Sequence, residues 1–296
     1  MDKKYGDDGK SGGEEKSGGW EHINFNEIEL GERIGGGGVG IIYSGWFRGQ
    51  AVAMKTLFDN RIGEDLKREY MDELLVMSKV KHSNIVEFLG ACMTPPNLCF
   101  VMEMCECSLY TLLHVDRVNF SLKDSITMAT DVASAMEYLH AQKPTIIHRD
   151  LKSHNVLRAS NGSLKVCDFG LVMIKNTTAG TPAYMAPELI VNRWNKVQNV
   201  LSRFPEDNLF SAPLCNKLFL ILTGVTSNPV ERKCRSFNKS VDVYAFGLLL
   251  WEILSQEVPF KMLDATEIRR RVTAGERPRL QSYGSSKITN LITSSW

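Results

Sequence analysis

The chain has 296 residues, of which 43% are hydrophobic and 23% are charged, so it carries enough apolar material for a packed core. With 35 Lys and Arg residues against 34 Asp and Glu residues, its net charge of +1 argues against a nucleic-acid or membrane-surface partner. No apolar run reaches the roughly 18 residues of a membrane span, and the 7 cysteines form no Cys-x-x-Cys pair. We therefore expect a cytoplasmic globular protein with reduced thiols.

The hydropathy pattern predicts a strand-rich N-terminal part followed by a helical part. Residues 1–19 are almost entirely Gly, Ser and charged residues, which predicts a disordered tail. Residues 28–57 alternate as β-strands do around a run of glycines, and residues 66–80 carry apolar side chains at helical spacing. Ser121 and Asp124 form a capping-box pair that predicts the start of a second long helix.

A glycine-rich turn and a lysine are the first candidates for chemistry. Gly35, Gly37 and Gly40 fit the pattern G-x-G-x-x-G, in which a bare backbone can approach phosphate groups closely. The turn lies between two strands and does not open a helix, which argues against a dinucleotide-binding turn. Taken alone, a glycine-rich segment of this kind is more often only a turn. Strand alternation places Lys55 on the same face as the small Ala53, a position that suits a lysine reaching a phosphate beneath the turn.

Three further motifs follow in a fixed order. The first is His-Arg-Asp at 148–150 with Asn155 close behind, the second is Asp-Phe-Gly at 168–170, and the third is Ala-Pro-Glu at 186–188. Any one of them could arise by chance. The glycine turn, the strand lysine and these three motifs together, in one order, are hard to explain as structural coincidence.

The set of motifs resembles a eukaryotic protein kinase domain, most closely the Ser/Thr kinases of the tyrosine-kinase-like group, which includes the Raf-like and mixed-lineage-like families. The resemblance runs from about residue 28 to residue 296, with one interruption. It implies an α+β, two-lobed fold with a β-rich N-lobe at 20–103 that contains one helix. A mainly helical C-lobe would occupy 104–296, behind a hinge near 103–106. The implied activity is ATP- and Mg²⁺-dependent phosphorylation of Ser/Thr residues on protein substrates.

The resemblance also assigns catalytic roles by motif position. Asp150 would accept the proton of the substrate hydroxyl, and Lys152 would steady the γ-phosphate. Lys55 would hold the α- and β-phosphates and be anchored by a helix glutamate. Motif spacing favours Glu73 for that anchor, with Glu69 one turn earlier as the alternative.

The resemblance also implies which residues contact the metal and the nucleotide. Asn155 and Asp168 would bind Mg²⁺, and the three glycines would cover the phosphates. Met102 would be the gatekeeper beside the adenine slot. Taken individually, apolar residues at such positions more often belong to the hydrophobic core, and only the motif register assigns them to the nucleotide site. The nucleotide-binding set implied by the motif register is Ile34, Gly35, Gly37, Gly40, Ile42, Ala53, Lys55, Met102, Glu103, Cys105 and Leu157.

Substrate class follows from two segments that resemble Ser/Thr kinases. The first is Lys152, which follows Asp150 at two residues, and the second is the segment Gly-Thr-Pro-Ala-Tyr at 180–184. Thr181 would then contact Asp150 and Lys152 and would not be a phosphorylation site. Asp242 would hydrogen-bond the backbone of the catalytic loop, a structural role.

Arg149, next to the catalytic Asp, is a sign in this family of control by phosphorylation of the activation loop. A phosphate there would bring nearly two negative charges that an arginine can hold. Thr177 and Thr178 are the available hydroxyls for an upstream activating kinase, and two solvated loop threonines are the alternative interpretation.

The segment 194–235 interrupts the resemblance and matches no motif of the family. It is either a lineage-specific loop or a retained intron. The second hypothesis notes that Arg193-Trp194 can be encoded AGG-TGG and Cys234-Arg235 TGC-AGG, which contain a GT donor and an AG acceptor. Its removal would rejoin a sequence that reads as uninterrupted.

The resemblance further predicts a C-lobe that is truncated at the end of the chain. The family continues with a helix and an arginine that pairs with the glutamate numbered Glu188 here, so that a buried carboxylate would lack its partner at a cost of about 3–5 kcal/mol. Two alternatives to an active kinase follow from the insertion and the truncation. One is a catalytically impaired scaffold with the kinase fold, and the other is a fragment that does not fold.

Overall fold

A computed structural model of the chain describes residues 20–37, 40–56, 74–168, 180–191, 239–281, 283 and 286–296. The predicted tail at 1–19 and the predicted insertion at 194–235 lie outside these ranges. The first part of the helix predicted at 66–80 also lies outside them, and its described part is helical over 74–79.

The N-terminal part is a five-stranded antiparallel sheet in the order β1-β2-β3-β5-β4. Its strands are β1 (Ile28–Gly37), β2 (Gly40–Phe47), β3 (Gln50–Thr56), β4 (Phe88–Cys92) and β5 (Cys99–Glu103). The connection between β2 and β3 is the two-residue turn Arg48-Gly49, in which both residues have positive φ (50° and 79°). That geometry matches the right-handed twist of the flanking strands, which makes this a tight hairpin.

Alternation along β3 gives the sheet two different faces. Val52 and Met54 are fully buried in an apolar core that also contains Val101 of β5. Ala53 and Lys55 project from the opposite face, as the sequence pattern predicted. Ile23, which precedes β1, is also fully buried in this core, because its backbone pairs with that of Ala91 in β4.

The C-terminal part is mainly helical. Its helices are α1 (Leu122–Ala141), α2 (Ser240–Ser255), α3 (Ala265–Thr273) and α4 (Ser286–Ser295), with a further helical stretch at 187–191. Short helical turns occupy Phe25–Glu27 ahead of β1 and, in this part, Thr111–Val115, Ser153–Asn155 and Pro182–Tyr184. A small antiparallel sheet comprises β6 (Cys107–Ser108), β7 (Val156–Arg158) and β8 (Leu164–Val166).

Helix α1 begins at the predicted capping box. The Ser121 hydroxyl accepts a hydrogen bond from the Asp124 N–H at 3.1 Å, and the Asp124 carboxylate accepts one from the Ser121 N–H at 3.2 Å. These bonds satisfy backbone donors that the first helical turn leaves unpaired. The pKa of Asp124 is lowered by a hydrogen bond from the Ser121 hydroxyl to its carboxylate at 2.7 Å, and then by the one from the Ser121 N–H. The prediction of this helix start is confirmed.

Helix α2 lies at the centre of the C-terminal core. Its apolar residues pack against α1 and the terminal helix, and two carboxylates, Asp242 and Glu252, are buried with them. Gly247 is required where α4 crosses α2, since an added Cβ would lie 2.6 Å from the Cβ of Ser295. The predicted α+β, two-lobed fold is confirmed in the described residues. None of their helices combines the length and the apolar character that crossing a membrane requires.

Candidate active site

The catalytic-loop backbone is held by one buried carboxylate of α2. The N–H groups of His148 and Arg149 each donate to Asp242 at 2.8 Å, one to each carboxylate oxygen. The imidazole Nε2 of His140 lies 2.8 Å from the same side chain. The structural role predicted for Asp242 is therefore confirmed, and it explains how Arg149 keeps a left-handed backbone with φ of 63°.

His148 joins the catalytic loop to the segment that carries Asp168. The N–H of Asp150 donates to His148 Nδ1 at 3.3 Å, so this ring nitrogen must be the unprotonated one. Nε2 then carries the proton and donates to the carbonyl oxygen of Cys167 at 3.0 Å. The ring is fully buried, and the hydrogen-bond network alone fixes its tautomer.

Asp150 is surrounded by donors that fix its carboxylate. Lys152 Nζ donates to it at 3.0 Å, and the N–H and Oγ1 of Thr181 donate at 3.1 and 3.3 Å. Lys152 Nζ also donates to Thr181 Oγ1 at 2.8 Å. The predicted contact of Thr181 with both residues is confirmed, and it ties the end of the activation segment to the catalytic loop.

Asn155 is fixed beside the catalytic carboxylate. Its Nδ2 donates to the carbonyl oxygen of Asp150 at 2.8 Å and to the Asp150 carboxylate at 3.2 Å, so both side-chain donors are used and the amide oxygen can serve only as an acceptor or a ligand. The Cys167 N–H donates to the Asn155 carbonyl at 2.9 Å, which brings the next residue, Asp168, alongside. One carboxylate and one amide oxygen, completed by phosphate oxygens, fit the ligands that Mg²⁺ prefers. No cluster of three His, Cys, Asp or Glu side chains suited to a metal occurs in the described part of the chain.

Lys55 reaches across the cleft to Asp168. Its ammonium lies 2.7 Å from the Asp168 carboxylate, although the two residues are 113 positions apart. The lysine is 5% exposed, whereas the Asp168 side chain is 30% exposed, so the pair is shielded from water on the lysine side. The sequence predicts an anchor for Lys55 at Glu73, which lies outside the described residues; the direct pair with Asp168 was not anticipated.

The sheet face above the cleft carries four of the predicted nucleotide-binding side chains. Ile42 lies directly opposite Lys55, and Ala53 directly opposite Met102, so these four side chains share one face. Gly40 is required here, because an added Cβ would lie 1.9 Å from the carbonyl oxygen of Thr56. The rest of the set is found at half-exposed Ile34, at Gly35 and Gly37 of β1, and at half-buried Cys105 and Leu157.

The Glu103 carboxylate is turned toward protein partners. It accepts from Lys165 Nζ and from the N–H of Glu87, both at 2.6 Å. Burial raises the pKa of the neighbouring Cys105 thiol to about 11, and the Glu103 charge adds to the rise. Burial, with the Asp168 carboxylate as a lesser cause, also raises the pKa of the Cys167 thiol well above its usual value. Both thiols are therefore protonated at neutral pH, as expected of unreactive cysteines.

Sequence reasoning missed a second buried carboxylate cluster. Glu252 of α2 is fully buried and accepts from Ser153 Oγ at 2.8 Å and from Tyr184 Oη at 2.5 Å. His114 Nε2 lies 2.8 Å from the same carboxylate. Burial, then the charge of Glu252, raises the pKa of Tyr184 well above its usual value. The sequence held one signal, a lone acidic residue within the apolar run 245–254.

The buried, unpaired carboxylate predicted at Glu188 is a wrong expectation. Glu188 is exposed, and its carboxylate accepts a long hydrogen bond from Ser240 Oγ at 3.4 Å. Water solvates an exposed carboxylate, so the predicted penalty of about 3–5 kcal/mol for an unpaired buried charge does not apply. Other predictions fall on residues that the structure does not describe: Glu73, Glu69, Thr177, Thr178 and the insertion at 194–235.

The β-rich lobe places Lys55 next to Asp168, and Asn155 and the catalytic loop lie on the other side of the cleft. This arrangement defines the class of the protein kinases. The chain belongs to the protein kinase domain family, whose model matches residues 28–202. A second model, of protein tyrosine and serine/threonine kinases, matches residues 229–296. The resemblance drawn from the motifs is thereby confirmed, and residues 203–228 between the two matches lie within the predicted insertion.

The curated relatives carry Ser/Thr kinase names. The chain is 32% identical over 285 residues to the serine/threonine-protein kinase STY46 of Arabidopsis thaliana, which covers 94% of this chain and 42% of the relative. It is 31% identical over 277 residues to the probable serine/threonine-protein kinase drkB of Dictyostelium discoideum, covering 91% of this chain and 34% of the relative. The chain thus spans less than half the length of these relatives.

Proposed function

We propose that this chain is an ATP- and Mg²⁺-dependent protein Ser/Thr kinase that acts in the cytoplasm. The observation that carries the proposal is the Asp150 carboxylate, held at once by Lys152, by Thr181 and by Asn155. A carboxylate fixed in this way beside a lysine and a magnesium-type donor set suits phosphoryl transfer to a hydroxyl. The Ser/Thr kinase names of the relatives support the substrate class.

Asp150 acts as the acceptor of the substrate proton in this proposal. The hydroxyl oxygen of the substrate forms a bond to the γ-phosphorus of ATP, the bond from that phosphorus to the bridging oxygen breaks, and the proton passes to Asp150. Lys152, 3.0 Å from Asp150, places a positive charge next to the developing negative charge. Asn155 and Asp168 would hold Mg²⁺, which supplies further charge neutralisation.

The nucleotide side of the cleft is proposed on the same motif register. Lys55 would hold the α- and β-phosphates, with Glu73 as its anchor, and the glycine turn would cover them. The close approach of the Thr56 backbone already requires glycine at position 40, so the phosphate-covering role is proposed from the motif register alone. Met102 would border the adenine base, and the main chain from Glu103 to Cys105 would contact it.

Regulation and domain limits form a further part of the proposal. We place the N-lobe at 20–103 and the C-lobe at 104–296, with an insertion at about 194–235. An upstream kinase would phosphorylate Thr177 or Thr178, and Arg149 would hold the phosphate. The gap between the two family matches, 203–228, supports the insertion. Transcripts that cross 194–235 without a splice junction would exclude the retained-intron origin and leave a genuine loop.

The test is phosphate transfer by the full chain to a library of Ser- and Thr-containing peptides in the presence of Mg·ATP. We expect phosphate on Ser or Thr, with transfer abolished in an Asp150→Asn variant. In a parallel thermal melt, ATP with Mg²⁺ at a hundredfold excess over Kd should add about 2.7 kcal/mol of stability. A chain that melts cooperatively and binds Mg·ATP, but transfers no phosphate to any peptide, would be a scaffold and would refute the proposal.

A further inference from the structure

Two ion pairs lie side by side where the two lobes meet. Glu103, the last residue of β5, pairs with Lys165 of β8 at 2.6 Å, and their side chains are 18% and 15% exposed. Glu106, three residues further along, pairs with Arg158 of β7 at 3.6 Å, and their side chains are 50% and 41% exposed. Each pair joins a glutamate of the hinge at 103–106 to a basic residue of the small sheet β6–β8. They differ in distance and in burial.

The shielded pair is part of a larger junction. The oxygen of Glu103 that accepts from Lys165 also accepts from the N–H of Glu87 at 2.6 Å. The N–H of Glu103 in turn donates to the carbonyl of Glu87 at 3.0 Å. The end of β5 is thus fixed to the segment that leads into β4 through both its backbone and its side chain.

Lys165 brings the third strand into the junction. Its neighbour Val166 donates to the carbonyl of Asn84 at 2.8 Å and accepts from the N–H of Val86 at 2.9 Å. Asp168 follows Lys165 by three residues. One ammonium therefore links the hinge, through Glu103, to β8, which ends at Val166, two residues before the proposed magnesium ligand Asp168.

The physical difference between the pairs predicts different consequences of breaking them. An exposed pair is screened by water and salt, so its loss changes little. A pair largely out of water leaves an uncompensated charge when one partner is removed, and the surrounding backbone must move to solvate it. Cys105 is also close to Glu103, but a cysteine side chain is either neutral or negatively charged, so it cannot replace the positive charge of Lys165.

We propose that Lys165 is a positioning residue that fixes the hinge backbone against β8 through Glu103 and thereby sets the affinity of the cleft for ATP. The proposal rests on the kinase function proposed above. One oxygen of the Glu103 carboxylate accepts from both Lys165 and the Glu87 N–H, so this side chain acts by holding the hinge main chain in place. Transfer itself depends on residues on the far side of the cleft, so kcat should be affected less than nucleotide affinity.

The experiment compares Lys165→Met with Arg158→Met, a matched control that also removes a cation paired with a hinge glutamate. The Kd for Mg·ATP is measured by calorimetry on the full chain, with KM and kcat for transfer alongside. Amide hydrogen exchange of residues 103–106 is followed without nucleotide. For Lys165→Met we expect a Kd raised about tenfold, a kcat within about twofold of the original and faster hinge exchange. Arg158→Met should change none of these.

Lys165→Arg provides the rescue, because it keeps a cation that can reach the Glu103 carboxylate. Recovery of Kd and of slow hinge exchange in this variant would support positioning through the pair. Equal effects of Lys165→Met and Arg158→Met, or an unchanged Kd and hinge exchange in Lys165→Met, would overturn the inference. If the original chain binds Mg·ATP but transfers no phosphate, the kinase proposal fails. The Kd for Mg·ATP and the hydrogen exchange of the hinge still decide whether Lys165 positions the hinge. If it does not bind Mg·ATP, both fail.

Discussion

The two sides of the cleft are held in place by different kinds of interaction. On the C-terminal side, the catalytic loop is fixed by hydrogen bonds to the buried carboxylates Asp242 and Glu252 of α2. On the N-terminal side, the sheet presents Lys55 because Val52 and Met54 are buried on the opposite face of β3. On the C-terminal side, the position of the catalytic loop depends on individual hydrogen-bonding atoms. On the N-terminal side, the position of Lys55 depends on the alternation of buried and exposed residues along β3. The two sides should therefore respond differently to small chemical changes.

The largest effect on activity is expected from Asp150→Asn. The amide cannot accept the hydroxyl proton, so kcat should fall by about 10²–10⁴-fold. Its shape is nearly unchanged, but the new NH₂ group faces donors that now bind the carboxylate, so the free energy of unfolding should also fall by about 1–3 kcal/mol. Steady-state transfer assays on the full chain measure the fall in kcat, with Asp116→Asn, an exposed aspartate outside the cleft, as the control. Activity of Asp150→Asn close to that of the control would contradict the assigned role.

The largest effect on stability is expected from Asp242→Ala. The change leaves the N–H groups of His148 and Arg149 buried without an acceptor, at about 1–3 kcal/mol for each group. Urea unfolding of the original chain and of the Asp242→Ala variant measures the difference in their free energies of unfolding. Asp264→Ala is the matched control, since that aspartate caps α3 at an exposed position and its loss should cost about 1 kcal/mol. Equal losses for the two variants would mean that the Asp242 contacts contribute no more than a helix cap.

Two conservative changes test the comparison of the two sides directly. Glu252→Gln keeps the shape but replaces an acceptor oxygen with an NH₂ group that faces the donors Ser153 and Tyr184, so it should cost about 1–3 kcal/mol. Met54→Leu keeps the volume of a fully buried apolar residue and should cost less than about 1.5 kcal/mol. Denaturant unfolding measures both. A greater loss of unfolding free energy for Met54→Leu than for Glu252→Gln would contradict the expected difference between the two sides of the cleft.

The smallest effect is expected at Glu267, on the exposed side of α3. Hydrogen bonds from Arg270 and then from Arg271 lower the pKa of this carboxyl from 4.5 to about 2. Because the folded-state pKa lies below the unfolded one, the stabilisation is complete above pH 4.5 and is lost as the pH falls toward 2. The melting temperatures of the chain and of Glu267→Gln should therefore differ slightly at neutral pH and converge in acid. A difference in melting temperature that grows as the pH falls would refute the predicted direction of the pH dependence.

Much of the site could be predicted because its parts are encoded by local spacing. The capping box at Ser121 follows from a short motif, and strand periodicity places Lys55 on the face of β3 opposite to that of Met54. Such patterns fix which residues share a face or a turn, since backbone geometry repeats every two or 3.6 residues. The contact of Thr181 with Asp150, 31 positions apart, was instead implied by the resemblance to the kinase family.

The sequence by itself therefore determined the α+β fold class, the kinase family and the residues of the catalytic loop. Only the tertiary structure decided which partners buried charges find: Asp168 for Lys55, Lys165 for Glu103, and Ser153 with Tyr184 for Glu252. It also showed that Glu188 is exposed. These pairings join residues between 62 and 113 positions apart. No local period encodes contacts at such separations, and a buried charge takes whichever donors the packed fold brings within about 3 Å.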